Sequence, residues 1–413
     1  MPPFRRRPQP VSRAASRSDP VPSTSPPRLV AHLALAVLCL VGGTACAGDG
    51  HGVVDPLSGN PSLFTWALPA GVSPPPVPTD NPMSAAKVEL GRRLFYDTRL
   101  SGNGGFSCAS CHRQEFAFAD AKNIPLGSTG EPHPRNSMAL ANAGYQSFLN
   151  WANTATTTLE AQALVPMFGD RPVELGLKGG DVALLERLRG EPLYRQLFPK
   201  SFPGEPDPVS VTNVTKALAA FQRTLLSFNA PFDHTRRGES AGMSAAALRG
   251  EALFRSSRLK CAECHAGTLF TSAADAGGST FSSLQFFNTG LYNVGGAGAY
   301  PARNRGLFEI TGNAQDMGRF KVPSLRNLAF TFPYMHDGSI SSLEDVVDHY
   351  ARGGRIVALG PNAGDGHLNP LKDARVAGFA ITPEEKGDLV AFLRSLSDSS
   401  FVREGRFSNP WNR

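Results

Sequence analysis

Long apolar runs are missing from this sequence: no stretch reaches 18 residues, and Trp occurs only three times in 413 residues. A polytopic membrane protein is therefore excluded. A basic block is also missing beyond the start of the chain. The formal charge is +6, but residues 1–45 hold six Arg against the single acid Asp19, so the remainder is close to neutral. That distribution leaves no electrostatic footprint for a nucleic acid. Spare thiols are the third absence. Of six Cys, Cys39 and Cys46 fall near the N-terminus, and the other four are used up in two C-x-x-C-H motifs, so no disulfide framework remains.

What is present suits two domains with proper cores. The hydrophobic fraction is 41% and the charged fraction 18%. Gly (42) and Pro (34) are both plentiful, which points to long ordered loops around short helices. The basic start leads into the apolar stretch Leu29–Gly43, broken only by His32, and then into Thr44-Ala45-Cys46-Ala47. Charged, apolar and small-residue regions in that order form a secretory signal over residues 1–47, and the periplasm is the expected location. Cleavage at Ala45–Ala47 and lipid anchoring at Cys46 are the two ways of processing it. The apolar stretch is too short to span the ~30 Å of a bilayer core.

The two motifs are Cys108-Ala109-Ser110-Cys111-His112 and Cys261-Ala262-Glu263-Cys264-His265. C-x-x-C-H reads as covalent c-type haem attachment: two thiols reach the two vinyl groups and the imidazole reaches the iron. A zinc or redox C-x-x-C does not require the following His. The surroundings repeat as well. Met83-Ser84-Ala85-Ala86 opens a helix carrying Gly91, Leu94 and Phe95 before the first motif. Met243-Ser244-Ala245-Ala246 opens one carrying Gly250, Leu253 and Phe254 before the second. Ser is the expected N-cap in both. Further helices are predicted from the stripe Val214, Leu218, Phe221, Leu225, ended by Asn229-Ala230-Pro231, and from the capping box Thr382-Pro383-Glu384-Glu385 with the stripe Leu389, Phe392, Leu393, Leu396. No convincing strand alternation appears. The expected class is mainly α: two cytochrome c-like domains with long loops and one covalent haem each. Residues 48–82 form an irregular lead-in, 83–235 the N-terminal domain and 236–413 the C-terminal one.

From about Met83 to Leu396 the chain resembles the bacterial di-haem cytochrome c peroxidases and their MauG-type relatives. The resemblance rests on the haem motifs and on four further stretches. These are Arg135-Asn136 ahead of Trp151, Leu159–Pro166 with Pro172-Val173-Glu174, Phe221–Leu225 through Pro231-Phe232-Asp233, and Val322–Asn327 through Pro333-Tyr334-Met335-His336-Asp337-Gly338. It implies an exported peroxide-dependent oxidoreductase whose N-terminal haem reacts with peroxide while the C-terminal haem relays electrons. His112 and His265 would be the proximal ligands, and Glu174 the distal carboxylate that moves a proton between the peroxide oxygens. Gln162 would be the neighbouring amide that orients the oxidant. Trp151 matches the tryptophan between the two haems, where an oxidisable indole relays charge. Asn136, Thr331 and Pro333 match a calcium site made of one amide oxygen and two backbone carbonyls. His133 stands too close to Asn136 to match the loop histidine that closes the reactive haem in some members, and is read as a loop residue, with a supporting place behind the site's own residues as the other reading.

The sixth ligand of the second haem separates the functions. The family position lies 14 residues after His336 and is Tyr350, on a short helix with Leu343, Val346 and Val347. Met ligation raises a haem potential; a phenolate lowers it, which is the MauG pattern. Met335, Met317 and His349 are the rival ligands. With Tyr350 the resemblance favours a MauG- or MbnH-like enzyme that oxidises a side chain on a partner protein. The alternatives are a peroxidase fed by a small cytochrome or cupredoxin, and a non-catalytic di-haem electron carrier. Mass spectrometry of the mature protein is expected to show two added haems, and a variant with both Cys261 and Cys264 changed to Ser only one.

Overall fold

The structure, a computed structural model, describes residues 64–274 and 285–411. The signal segment with Cys46, and the first part of the lead-in, lie outside the described residues. From Phe64 to Ser84 there is neither helix nor strand. The lead-in is nonetheless tied down: buried Asn81 donates to Glu160 Oε1 at 2.6 Å and accepts from Lys87 Nζ at 3.0 Å.

Ten α-helices follow among the described residues: α1 Ala85–Tyr96, α2 Leu159–Phe168, α3 Asp181–Gly190, α4 Pro192–Ser201, α5 Val211–Arg223, α6 Pro231–Arg236, α7 Ala245–Phe254, α8 Phe308–Thr311, α9 Leu343–Arg352 and α10 Pro383–Ser395. Strand is confined to two antiparallel pairs of two residues each, β1 Phe286–Phe287 with β2 Phe320–Lys321, and β3 Ile356–Val357 with β4 Gly364–Asp365. The mainly helical class with long loops agrees with the sequence reading.

The sequence repeat is also a packing repeat. Ser84 and Ser244 cap α1 and α7, each side chain accepting from the backbone N–H three residues on, at 3.2 Å. Gly91 of α1 lies against α5 so closely that a Cβ there would meet Ala217 O at 1.9 Å and Phe221 Cβ at 2.9 Å. Gly250 of α7 lies against α10 in the same manner, with Asp388 O at 1.9 Å and Phe392 Cβ at 2.9 Å. One turn beyond each glycine a phenylalanine enters the core. Phe95 meets Phe221 at 5.3 Å between ring centroids and Phe118 at 5.8 Å. Phe254 meets Phe392 at 5.1 Å and Phe270 at 6.0 Å. Two aromatic knots of one design thus form the centres of two apolar clusters, one around α1, α4 and α5, the other around α7, α9 and α10. Full burial of each Phe contributes about 1.5–3 kcal/mol.

The capping box at Thr382 forms, with Glu385 N donating to Thr382 Oγ1 at 3.2 Å and Thr382 N to Glu385 Oε2 at 3.0 Å. The stripe on α5 is buried as expected, but the helix stops at Arg223, well before Pro231. The reason is tertiary: the backbone of Leu225 and Ser227 is engaged by Asn142, whose N–H donates to Leu225 O and whose Oδ1 accepts from Ser227 N. Leu225 is buried from outside the helix. Gly91→Ala and Gly250→Ala are each expected to cost about 1–3 kcal/mol by overpacking, measured by denaturant unfolding of the holoprotein. Gly387→Ala on α10, where a Cβ meets nothing within 4 Å, is the control and should be neutral or stabilise by up to about 1 kcal/mol.

Candidate functional site

Each C-x-x-C-H motif forms one 3₁₀ turn, Cys108–Ser110 and Cys261–Glu263. The turn brings the His N–H back to the first Cys carbonyl, at 2.9 Å for His112 and 3.0 Å for His265. The ring is then held from its other edge. His112 Nδ1 lies 2.8 Å from Phe118 O, and His265 Nδ1 lies 3.1 Å from Phe270 O. A carbonyl only accepts, so Nδ1 carries the proton and Nε2 is the nitrogen presented to a metal. Phe118 and Phe270 are the same rings that close the two aromatic knots. Both take left-handed backbone, φ +63° and +52°, which is rare for a bulky residue. Buried packing of the ring on the knot is what holds that conformation.

Burial lowers the pKa of both imidazoles, His265 to about 4, so both stand in the neutral form that ligates. All four thiols are free. Burial pushes them up, Cys108 and Cys261 to about 12 and Cys111 and Cys264 to about 11. Two un-ionised thiols beside an imidazole with a presented Nε2 fit covalent haem c at both motifs.

Above His112 opens a cavity of about 470 Å³ whose wall includes Cys108, Cys111, Gln162, Glu174, Trp151 and His133. Gln162 stands on α2, which Thr158 caps by accepting from Ala161 N at 3.2 Å. Glu174 is eight residues beyond Pro166 in sequence but adjacent to it in space, because Leu175 N donates to Pro166 O at 2.9 Å. A second strut comes from the 125–133 loop, where Ser128 N donates to Glu174 O at 2.7 Å. Gly127 permits this approach, since a Cβ there would fall 1.8 Å from Val173 O. The Glu174 carboxylate acts electrostatically on Cys108, Cys111 and His112 alike, which sets it over the first motif. His133, read from the sequence as a loop residue with a supporting place behind the site as its other reading, faces it: Nε2 stands 3.5 Å from Glu174 Oε1.

Trp151 joins this cavity to the second half of the chain. Its Nε1 donates to Asn136 O at 2.9 Å, and its own carbonyl accepts from Lys321 N at 2.7 Å. Asn136, Thr331 and Pro333 all line the cavity. Asn136 spends its amide N–H on Lys122 O at 2.6 Å, which leaves the amide oxygen for a cation. Among the described residues no group of three or more His, Cys, Asp or Glu side chains could hold a metal, so a calcium ion would depend on these amide and backbone oxygens.

Tyr350 lies within electrostatic range of the second motif's thiols. Burial pushes its phenol up, and Cys264 and Cys261 reinforce the shift. The rivals have other surroundings. Met335 and Met317 pack in the apolar cluster that contains Trp151. His349 is buried and pushed down to about 4 by burial, and the groups that act on it are the Thr289 backbone, Arg355, Lys372 and Asp337 rather than the thiols.

Sequence reasoning missed Lys321, Phe118 and Phe270 as well as the facing of His133. Lys321 is only 2% exposed and also lines the cavity. Its Nζ meets neutral oxygens, Phe148 O at 3.0 Å and Gln146 Oε1 at 3.4 Å, and burial pushes it down to about 7. No local pattern announces a buried amine whose acceptors lie more than 170 positions away.

A family profile described as di-haem cytochrome c peroxidase matches residues 85–241. The cytochrome-c peroxidase IdrP1 of Denitromonas iodatirespirans is 37% identical over 357 residues, covering 80% of this chain and 86% of that protein. The methylamine utilization protein MauG of Methylorubrum extorquens is 35% identical over 321 residues, covering 78% and 81%. Among solved structures, a MauG-like protein associated with microbial copper homeostasis superposes with a TM-score of 0.82 at 46% identity, over 84% of this chain and 100% of that one.

Lys321 yields a pH prediction. Its folded pKa lies below the ordinary 10.5, so between about 7 and 10.5 the unfolded chain binds more protons and folding gains stability as pH rises. Lys321→Met should lack that gain. The stability difference between wild type and variant, from denaturant unfolding at both ends of the window, should shift in favour of wild type with rising pH.

Proposed function

The chain belongs to the di-haem cytochrome c peroxidase and MauG family, and from that premise we propose that this oxidoreductase uses hydrogen peroxide to oxidise a side chain of a partner protein. Tyr350 carries this reading: its phenol is the candidate sixth ligand, and Cys264 and Cys261 act on it electrostatically, whereas Met335 and Met317 pack against the cluster of Leu291, Tyr300 and Phe320. A low-potential second site is a poor acceptor from small soluble cytochromes, and withdrawing electrons from a docked protein suits it better. The 46% identical MauG-like protein is associated with copper homeostasis, and we extend that association to this chain's partner. Export to the periplasm, with Cys46 as the alternative lipid anchor, and calcium held by Asn136, Thr331 and Pro333 belong to the same proposal.

Bound haem supplies the electron transfer that reduces the peroxide O–O bond. The chain supplies the rest. Glu174 takes the proton from one peroxide oxygen and returns it to the other, which a carboxylate inside a cavity does as base and then acid. Gln162 orients the oxidant by hydrogen bonding. Trp151 contributes an oxidisable indole whose orientation its bond to Asn136 O fixes. The second reading, peroxide reduction with electrons from a small cytochrome or cupredoxin, is favoured by the 37% identical relative named a cytochrome-c peroxidase.

Glu174→Gln should slow peroxide consumption by the holoprotein about 10²–10⁴-fold in rapid mixing; an unchanged rate removes Glu174 from the chemistry. Tyr350→Phe should alter the absorption of the second haem and leave the first unchanged. If the wild-type spectrum instead carries the signature of Met ligation and the enzyme rapidly turns over a reduced cytochrome, the second reading stands.

A further inference from the structure

We propose that His133 is the proton relay that connects solvent to Glu174, loading the distal carboxylate with the protons that peroxide reduction consumes. The inference rests on the acid–base reading of Glu174 and goes beyond it, because reducing one peroxide to two waters takes up two protons with two electrons. Glu174 alone can only shuttle a proton already on the substrate. The protons that complete both waters come from outside the cavity.

Three observations converge on His133. It lines the cavity beside Glu174, and its Nε2 stands 3.5 Å from Glu174 Oε1. That distance is ion-pair contact, slightly longer than a hydrogen bond, and a small ring rotation or one water closes it. Both side chains keep part of their surface accessible, 26% for His133 and 34% for Glu174, as proton exchange with water requires. The third observation concerns the far side of the ring. Nδ1 lies 3.0 Å from Arg135 O and 3.1 Å from Arg135 N. When Nδ1 carries a proton it donates to the carbonyl; when it does not, it accepts from the N–H. Imidazolium and both neutral tautomers thus keep a partner at Nδ1, and Nε2 is left to exchange protons. A histidine serving only as a loop strut would need one tautomer.

The step balances simply. Imidazolium Nε2–H passes its proton to Glu174 Oε1, giving neutral imidazole, with Nδ1–H on Arg135 O, and a carboxylic acid. Solvent then reprotonates Nε2. The backbone holds donor and acceptor in register, since Ser128 N donates to Glu174 O at 2.7 Å and Val173 N to Glu131 Oε2 at 3.3 Å.

The charged groups around the pair do not take over the role. On the histidine's own loop, Arg135 pairs with Glu309 at 2.6 Å and Glu131 with Arg303 at 3.2 Å. On the glutamate's segment Arg171 lines the cavity, and from the other walls His112, Lys321, Arg326 and Glu309 face it. Arg326 is committed to Asp233 at 2.6 Å, and Lys321 to the Phe148 carbonyl at 3.0 Å.

The test uses holoprotein with both haems, mixed rapidly with peroxide across the pH range on either side of neutrality, in water and in deuterium oxide. His133→Gln keeps an N–H donor near Glu174 but cannot exchange a proton near neutral pH. It should react at least about tenfold more slowly above neutrality, with a steeper loss as pH rises, and small buffer acids should restore the rate in proportion to their concentration. The pH dependence of cyanide affinity, which needs a proton acceptor but no turnover, should change with it. A His133→Gln enzyme with wild-type rate, pH profile and buffer independence overturns the relay, as does a loss that no buffer restores. If Glu174→Gln itself leaves the peroxide rate unchanged, the reading of Glu174 fails first; if Glu174→Gln is slow and His133→Gln is not, only the relay fails.

Discussion

The bond from a half-buried imidazole Nδ1 to a phenylalanine carbonyl is the contact on which the two sites depend. Without it neither His112 nor His265 would have a defined tautomer, and Nε2 would not be presented. The carbonyl is available only because Phe118 and Phe270 hold left-handed backbone, φ +63° and +52°, and that costs energy in a bulky residue. The aromatic knots offset the cost. Phe118 is wedged against Phe95, Phe401 and Phe407, and Phe270 against Phe232, Phe254 and Phe392. Each knot exists because two helices bring their backbones together across a glycine, Gly91 in one and Gly250 in the other. A crossing of helices is thereby converted, in three contacts, into the orientation of an imidazole.

Beyond that shared proximal device the two halves part. The first is built around an accessible cavity with a carboxylate, an amide and an imidazole on its wall, suited to a small polar oxidant that needs proton transfer. The second sets a half-buried phenol within electrostatic range of its thiols. The difference is one of residue type: Glu174 and His133 are partly exposed and stand 3.5 Å apart, whereas the Tyr350 phenol is pushed up by desolvation and by its two thiol neighbours. Between the halves Trp151 is gripped by backbone from both, through Asn136 O and Lys321 N. Lys321 adds a buried amine beside this joint.

The sequence by itself determined what depends on near neighbours. The C-x-x-C-H spacing closes one turn whatever surrounds it, so the candidate attachment residues could be read directly. Ser84, Ser244 and the Thr382–Glu385 box cap their helices because the groups that bond are three residues apart. The repeat of Gly91-x-x-Leu94-Phe95 in Gly250-x-x-Leu253-Phe254 was likewise visible, although not what the glycines were for. Only the tertiary structure decided the rest. The end of α5 at Arg223 is set by Asn142, more than 80 positions away, competing for its backbone. Glu174 is set over His112 by hydrogen bonds to Pro166 and Ser128 and by the absence of a side chain at Gly127. His133 looked like an ordinary loop histidine until that same loop was seen to carry it to Glu174, and Lys321 showed no sign of its burial. Periodicity and capping record interactions within one turn of chain, whereas a catalytic wall is assembled from segments whose only common property is that folding brings their backbones within bonding distance.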